Sequence, residues 1–327
     1  MKQPLWVSLT VLALVSPVWA AEVSDQLEVF GNVEVQYGAI RGDVDHEYGT
    51  ALSTAAVGAK VKPNDKFDVT ASWLYEENLH SVETPLDIDE AYATWHALAD
   101  EKLDISAGKK YLPFGSYTSA MISDPLTLQL GETRRDAVLQ ANGKNGNLSA
   151  TGYIFEGKST KPADEGDHKN GFGLGLGYEN DKVGGGIHYM SNLAESDNFD
   201  PKDVARKIPA VSIHGQAELG RVTVIGEHLM ATKSFQEGDL DEEITTAAKP
   251  SATQLEANLD LNNERILALA WNQTRNAEEI GLAKQFYGVT YGQPLFKDLT
   301  GAVELSEAKD YDDAKARALT LQLNYEF

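Results

Sequence analysis

Apolar and polar side chains alternate residue by residue along the last segment of the chain. The apolar set comprises Leu319, Leu321, Leu323, Tyr325 and Phe327, and the residues between them are polar. Successive side chains of a β-strand point to opposite faces, so this segment predicts a strand with one apolar and one polar face. The alternation continues to the last residue, Phe327.

The same period of two recurs along the chain, most clearly over residues 67–75, 171–178, 254–261 and 299–306. Segments of about ten residues with this alternation, separated by turn residues, are typical of transmembrane β-barrels. A sheet that faces lipid must also close, because unpaired edge groups are too costly in hydrocarbon. The pattern therefore predicts an all-β protein that forms a transmembrane antiparallel β-barrel. A soluble β-sandwich is the alternative.

The connections between these segments alternate in length, which favours the barrel. Short polar turns such as 63–66, 179–182 and 262–264 alternate with longer loops. The longer loops are predicted near residues 38–50, 77–86, 112–133, 158–169, 193–207, 233–250, 275–280 and 308–314. Short periplasmic turns and long extracellular loops are how such barrels are arranged in the membrane.

The segments between connections number about sixteen, and we predict sixteen strands, with 14 and 18 as alternatives. Their predicted bounds are 27–37, 51–62, 66–76, 87–98, 102–111, 134–142, 147–157, 170–179, 182–192, 208–219, 221–232, 252–261, 264–275, 281–292, 298–307 and 315–327. An even number places both ends of the barrel on the periplasmic side.

The N-terminus predicts a secretory signal peptide over residues 1–20. Lys2 precedes an apolar stretch, and Val18 and Ala20 occupy the −3 and −1 positions of a cleavage site. The apolar stretch is too short to cross about 30 Å of hydrocarbon as a helix. We therefore expect residues 21–327 to form the barrel in the outer membrane of a bacterial cell, in contact with its lipid.

Charge and cysteine content exclude several classes of function. The chain has 28 basic and 50 acidic residues, a net charge of −22, which argues against a nucleic-acid partner. An acidic surface attracts cations. The absence of cysteine excludes disulfides, thiolate metal sites and a cysteine nucleophile. We expect no metal site and no cofactor.

The loop at residues 112–133, after the fifth predicted strand, is the longest and most apolar connection. An apolar loop of this length must bury itself, so we expect it to fold inward and narrow the barrel. The charged residues in or beside it are the predicted pore constriction and solute path: Lys109, Lys110, Asp124, Glu132, Arg134, Arg135 and Asp136. Charged constrictions select solutes electrostatically. The alternative is that these charges only hold the loop to the wall.

Six glycines, at 171, 173, 175, 177, 184 and 186, are expected on the inner face of two neighbouring strands. A wall without side chains lets another group approach the backbone closely. Strand curvature is an equally good explanation of these glycines.

Four segments carry a resemblance to a known family. They are AGKKYLPFGSY at 107–117, MISDPLTLQLGETR at 121–134, ASWLYEE at 71–77 and DIDEAY at 87–92. Together they resemble the LbtU family of siderophore porins, which are outer-membrane barrels without a plug. The resemblance is densest over residues 67–140. It implies uptake of an iron–siderophore chelate.

A barrel of 16 to 18 strands leaves an aqueous lumen, and the first predicted strand begins too soon after Ala20 for a plug domain. We therefore expect a porin-like channel for a small solute or a ferric siderophore. A general, cation-preferring diffusion porin is the alternative, and a homotrimer is the candidate assembly. An outer-membrane enzyme such as a phospholipase is disfavoured, because none of the seven histidines lies in a recognisable serine motif.

Overall fold

The structure is a computed structural model that describes residues 21–24, 26–42, 46–77, 82–98, 102–161, 164–168, 170–199, 206–237, 239 and 247–327. The predicted signal peptide, residues 1–20, lies outside the described residues, so its cleavage stays a prediction. Within the described part of the chain, no helix is both long enough and apolar enough to cross a membrane.

Sixteen antiparallel strands form the barrel, which confirms the predicted fold and strand number. They are β1 Leu27–Gly42, β2 His46–Asn64, β3 Phe67–Glu77, β4 Val82–Leu98, β5 Leu103–Tyr111, β6 Arg134–Asn145, β7 Leu148–Phe155, β8 Gly171–Glu179, β9 Val183–Met190, β10 Ala210–Leu219, β11 Val222–Ala231, β12 Ser251–Asp260, β13 Ile266–Arg275, β14 Gln285–Phe296, β15 Leu299–Lys309 and β16 Lys315–Glu326.

The sheet closes on itself. Each strand pairs with the next, and β16 pairs with β1 from Ala316–Gly42 to Glu326–Asn32. The backbone N–H of Gly31 donates to the carbonyl of Phe327 at 2.9 Å, so the ladder includes the last residue. Closure satisfies the backbone groups of both end strands, as hydrocarbon requires. A short strand, Ala21–Ser24, pairs antiparallel with the first residues of β1.

Alternating faces are clear in β8. The side chains of Phe172, Leu174 and Leu176 are 44%, 58% and 62% exposed on the outer surface. The residues between them, Gly173 and Gly175, are buried on the inner face. An apolar outer belt and a polar inner wall are the division that lipid and water impose on a membrane barrel.

Two predicted loops are wrong in their bounds. The loop predicted near 38–50 is mostly strand, because β1 and β2 remain paired as far as Arg41 and His46. The loop predicted at 77–86 is shorter too, since β4 begins at Val82. Polar composition misled the prediction, because a hairpin that rises above the membrane is solvated on both faces and resembles a loop in sequence.

The hydrophobic core lies inside the barrel, between the β5–β6 connection and the inner walls of β9–β13. That connection, residues 112–133, includes the six-residue helix α1, Leu126–Gly131, which packs against β11, β12 and β13. Its fully buried side chains Phe114 and Leu130 share a cluster with Leu193, Ile208 and Leu229. The predicted inward fold of this loop is confirmed.

Candidate pore constriction

Residues 112–133 cross the barrel interior as a closed loop. The two ends meet where the N–H of Leu112 donates to the carbonyl of Thr133 at 2.8 Å. The far part contacts Glu304 on β15, through the N–H of Ile122 at 2.7 Å. Since β15 is six strands from β5 by the shorter way around the barrel, the loop spans the interior.

Glu227 on β11 makes the first anchor for this loop. Its carboxylate accepts the N–H groups of Ser116 at 3.0 Å and Tyr117 at 2.9 Å, and the hydroxyl of Ser212 at 2.6 Å. Tyr117 has a φ of 55°, which is uncommon for an aromatic residue. The carboxylate therefore holds the backbone in a turn that it would not adopt alone.

Glu256 on β12 makes the second anchor. It accepts the N–H of Ala120 and the hydroxyl of Ser119, both at 2.7 Å. The neighbouring Gln254 donates its side-chain amide to the carbonyl of Thr118 at 2.8 Å. Side chains of β12 therefore provide hydrogen-bond partners for both an N–H group and a carbonyl group of the loop backbone.

Glu304 on β15 makes the third anchor. It accepts the N–H groups of Ile122 and Ser123 at 2.7 and 3.1 Å, and the hydroxyl of Thr290 at 2.9 Å. The hydroxyl of Ser123 donates to its other oxygen at 2.5 Å.

We call Glu227, Glu256 and Glu304 the anchoring glutamates. Each is at most 4% exposed, and in the described part of the chain no lysine or arginine pairs with any of them. Hydrogen bonds to a charged group contribute about 1.5–3 kcal/mol each, whereas a buried carboxylate without partners is strongly unfavourable. The loop and the anchoring glutamates therefore stabilise each other.

Two glycines of β8 allow the aromatic side chains of β7 to lie against the wall. A Cβ at Gly171 would come within 2.0 Å of the Phe155 ring, and a Cβ at Gly173 within 2.1 Å of the Tyr153 ring. Aromatic rings therefore approach the backbone of Gly171 and Gly173 closely, which is one of the two explanations given for these glycines. The loop also reaches this wall, where the N–H of Gly115 donates to Nδ1 of His188 at 3.0 Å.

Arg134 lies at the base of the loop among polar partners on β4 and β5. Its guanidinium is 2.6 Å from the carboxylate of Asp89, which also accepts the hydroxyl of Tyr111 at 3.0 Å. The guanidinium carbon lies 5.6 Å from the centre of the Tyr111 ring.

Lys110 and Lys109 point to opposite sides of β5. The Lys110 ammonium donates to the hydroxyl of Ser106 at 3.0 Å and lies 4.0 Å from the ring centre of Tyr92, on the inner wall. Lys109 instead pairs with Asp87 at 3.4 Å and Asp136 at 3.5 Å. Lys109 and Asp136 therefore form a separate ion-paired cluster with Asp87.

Arg135 is 2% exposed and sits in a buried ion-pair network. It pairs with Glu195 at 3.3 Å and Asp197 at 2.8 Å, on the connection between β9 and β10. Glu195 also accepts the N–H of Lys158 at 2.6 Å and the hydroxyl of Ser159 at 2.5 Å. Arg135 thus joins β6 to two connections, β7–β8 and β9–β10, instead of facing the lumen.

The two acidic residues predicted within the loop differ in position. Asp124 is 4% exposed, packed just before α1. Glu132 lies at the end of the loop, where burial and then the charge of Asp197 raise its pKa to about 8. The structure therefore brings Lys110, Glu132 and Arg134 together near the loop base.

A cavity of about 240 Å³ lies beneath the loop. Ser116 and Thr118 of the loop face it, and the opposite lining includes His188, His214 and Glu227. The rings of the two histidines are 4.8 Å apart at their centres. Among the described residues, no group of three or more histidine, aspartate or glutamate side chains could hold a metal ion.

The anchoring glutamates are the important residues that sequence reasoning did not identify. Each lies in the middle of a strand at an inward-facing position, which is an unusual place for an acidic residue with no basic neighbour. That position was visible in the sequence. Their partners were not, because the hydrogen bonds join residues more than 100 positions apart.

Comparison with known proteins gives the family and the fold. A family model described as Gram-negative porin matches residues 8–327. A UPF0422 protein of Coxiella burnetii is 30% identical over 222 residues, 63% of this chain and 47% of its own length. A UPF0422 protein of Legionella pneumophila strain Lens is 25% identical over 234 residues, 64% of this chain and 44% of its own. The chain spans about half the length of these relatives.

Solved porins share the architecture. OmpF of Salmonella typhi, in complex with daunomycin, superposes with a TM-score of 0.64 at 15% identity, covering 92% of this chain and 97% of that chain. An anion-selective porin from Comamonas acidovorans gives 0.63 at 12% identity, covering 92% and 99%. The trimer form of OmpT, an outer-membrane protein of Vibrio cholerae, gives 0.57 at 12% identity, with the same coverage. A closed sixteen-stranded barrel and a family match over nearly the whole chain lead to one assignment: the chain is a bacterial outer-membrane protein of the Gram-negative porin family.

Proposed function

We propose that the protein is a diffusion channel for small hydrophilic solutes and that residues 112–133 form its constriction. The observation that carries this proposal is the loop itself, which crosses the interior and is held by the three anchoring glutamates. The hydroxyl side chains of Ser116 and Thr118 face the cavity beneath the loop, and the proposal is that solutes pass the loop through this space.

Selectivity is proposed to arise at the loop base, where Lys110, Glu132 and Arg134 lie close to Asp89. With a net charge of −22, the chain as a whole attracts cations. The proposed channel is therefore cation-preferring, and Arg134 reduces that preference locally. Asp124, Arg135, Lys109 and Asp136 act on the pore only indirectly, through packing or through pairs away from the loop base.

Single-channel current in a planar bilayer tests the channel. We expect steady conductance with a reversal potential on the cation-selective side. Changing Arg134→Gln removes one positive charge and is expected to increase cation preference, whereas Arg221→Gln in a periplasmic turn is the matched control and leaves it unchanged. Absence of conductance from folded protein contradicts the channel, and equal reversal potentials in the two variants contradict the role of Arg134.

A second candidate function is passage of an iron–siderophore chelate. The resemblance to siderophore porins is densest over residues 67–140, the segment that contains the whole constriction loop. We expect a ferric siderophore added to the bilayer chamber to block the current if this proposal holds. A steady current that does not change when the chelate is added contradicts siderophore passage. The small-solute channel then remains the proposed function.

A homotrimer is the proposed assembly, since a solved relative in fold has a trimer form. Native mass spectrometry of the detergent-purified protein measures the number of copies directly. A mass of one chain under conditions that keep the barrel folded contradicts the trimer.

A further inference from the structure

Glu34 is a buried carboxylate on the inner wall, at the seam where the first strand, β1, pairs with the last, β16. Its side chain is 0% exposed, and its register partners are Asn324 on β16 and Thr54 on β2. Among the residues that the structure describes, no lysine, arginine or histidine forms an ion pair with it. A buried carboxylate without a countercharge is unfavourable unless hydrogen bonds compensate for its lost hydration.

The hydrogen bonds to Glu34 are few and long. Nδ2 of Asn32 donates to one carboxylate oxygen at 3.3 Å and Nε2 of Gln322 to the other at 3.2 Å, and the Thr54 hydroxyl is a further neighbour. The anchoring glutamate Glu304, which is equally buried, accepts four hydrogen bonds of 2.5–3.1 Å from backbone N–H groups and hydroxyls. Glu34 is therefore compensated less well than a buried carboxylate of the same barrel.

The charges nearest to Glu34 are also negative. The two that act on it most strongly are the carboxylates of Glu326 and Glu76. Glu326 lies two residues beyond Asn324 on the same face of β16, and Nδ2 of Asn324 donates to it at 2.9 Å. Asn324 therefore lies beside both Glu34, its register partner, and Glu326. A second carboxylate adds repulsion at the seam and supplies no countercharge.

The carbonyl oxygen of the Asn324 side chain is an independent sign of a missing positive partner. Asn324 is 7% exposed, and its Oδ1 is buried and accepts no hydrogen bond from the described residues. Its Nδ2 is directed at Glu326, so the amide group lies against the two carboxylates. Two carboxylates and a neutral oxygen thus meet at one place on the inner wall without a cation from the described residues. Such a set of oxygens fits a hard metal cation.

We propose that Glu34, Asn324 and Glu326 bind a calcium ion at the closing seam of the barrel. Calcium takes about six to eight oxygen ligands from carboxylates, amide carbonyls and water, in a flexible geometry. The Thr54 hydroxyl and neighbouring amide groups are the further oxygens within reach. Magnesium usually keeps several of its waters, which suits a fully buried carboxylate less well. Because the ligands come from the first and the last strand, the ion stabilises the closure of the barrel.

Isothermal titration calorimetry with calcium chloride tests the site on full-length folded protein in detergent, after treatment with a chelator. We expect one calcium ion per chain with a Kd of about 0.1–1 mM, the range of extracellular calcium sites, and weaker binding of magnesium. Glu34→Gln is expected to weaken calcium binding by about tenfold or more, because removing even an indirect support of a metal ligand costs that much. Glu218→Gln, at an exposed position of β10, is the matched control and keeps the affinity. Equal affinities in the two variants overturn the proposal.

Thermal melting in the presence and absence of calcium tests the role of the ion at the seam. A ligand that binds only the folded state stabilises it, so calcium is expected to raise the melting temperature of the unchanged protein and of Glu218→Gln, but not that of Glu34→Gln. Glu326→Gln, at the less buried carboxylate, provides a second variant and is expected to reduce the shift. A melting temperature of the unchanged protein that does not depend on calcium, as expected if Glu34 simply holds a proton, overturns the proposal. Neither measurement uses conductance, so the site and the channel are tested separately.

Discussion

Single residues hold the constriction loop through contacts with the opposite wall. In Glu304→Ala, the N–H groups of Ile122 and Ser123 lose their acceptor, at a cost of about 1–3 kcal/mol for each buried group left unpaired. We expect a noisy open-channel current, because the loop tip is released. Glu218→Ala, an exposed glutamate of β10, is the control with normal current noise. A quiet current in the Glu304 variant contradicts the anchoring role.

The bare backbone at Gly173 gives a second prediction about a single residue. In Gly173→Ala the new methyl group lies about 2.1 Å from the Tyr153 ring and forces it away from the wall. Overpacking of this kind costs about 1–3 kcal/mol, so the melting temperature is expected to fall. Gly292→Ala is the matched control, because a Cβ there meets no atom within 4 Å. Thermal melting followed by circular dichroism compares them, and equal melting temperatures contradict the close approach.

Glu132 makes stability depend on pH. Burial raises its pKa from 4.5 to about 8, so the folded protein keeps a proton that the unfolded chain releases between these values. Stability is therefore expected to fall as pH rises from about 5 to about 8. Urea unfolding at pH 5.5 and 8.5 measures this, with Glu132→Gln as the comparison. We expect the variant to lose this part of the pH dependence, and an unchanged dependence contradicts the shifted pKa.

At the scale of elements, the loop between β5 and β6 is distinct from the hairpins that rise above the membrane. Its tip, residues 116–123, carries the donors for all three anchoring glutamates. Replacing these residues by a glycine–serine segment of equal length is expected to increase single-channel conductance, because the tip no longer crosses the lumen. The same replacement at residues 276–280, between β13 and β14, is the control. Unchanged conductance in the tip variant contradicts the position of the constriction.

The observed strand bounds show which parts of the fold the sequence pattern predicts. All sixteen strands were predicted, since most alternate apolar and polar side chains over the thickness of the membrane. Alternation is weaker in β4, β7 and β11, which carry apolar residues on both faces. The hairpin of β1 and β2 was cut short, because its upper part meets water on both faces and has no apolar period to detect. Alternation of apolar and polar side chains therefore identifies the membrane-spanning part of a strand. It does not identify the residue at which the strand ends.

On the scale of the whole molecule, the outer surface joins an apolar belt to charged rims. The belt requires lipid on all sides, and charged side chains lie above it, such as Lys315 and Arg317, which pair with Glu307.

The sequence by itself determined the closed barrel and the direction in which its side chains face, and it predicted sixteen strands with 14 and 18 as alternatives. These properties are local, because lipid demands apolar side chains at every second position and pairing of every backbone group. Only the tertiary structure decided which charges reach the loop base. Gly108, with a φ of 141°, shifts the register next to Lys109 and Lys110, and Arg135 is buried by Glu195, sixty residues away. Contacts between distant parts of the chain produce no repeating pattern in the sequence. The sequence therefore could not show which of the seven predicted charged residues lie at the loop base.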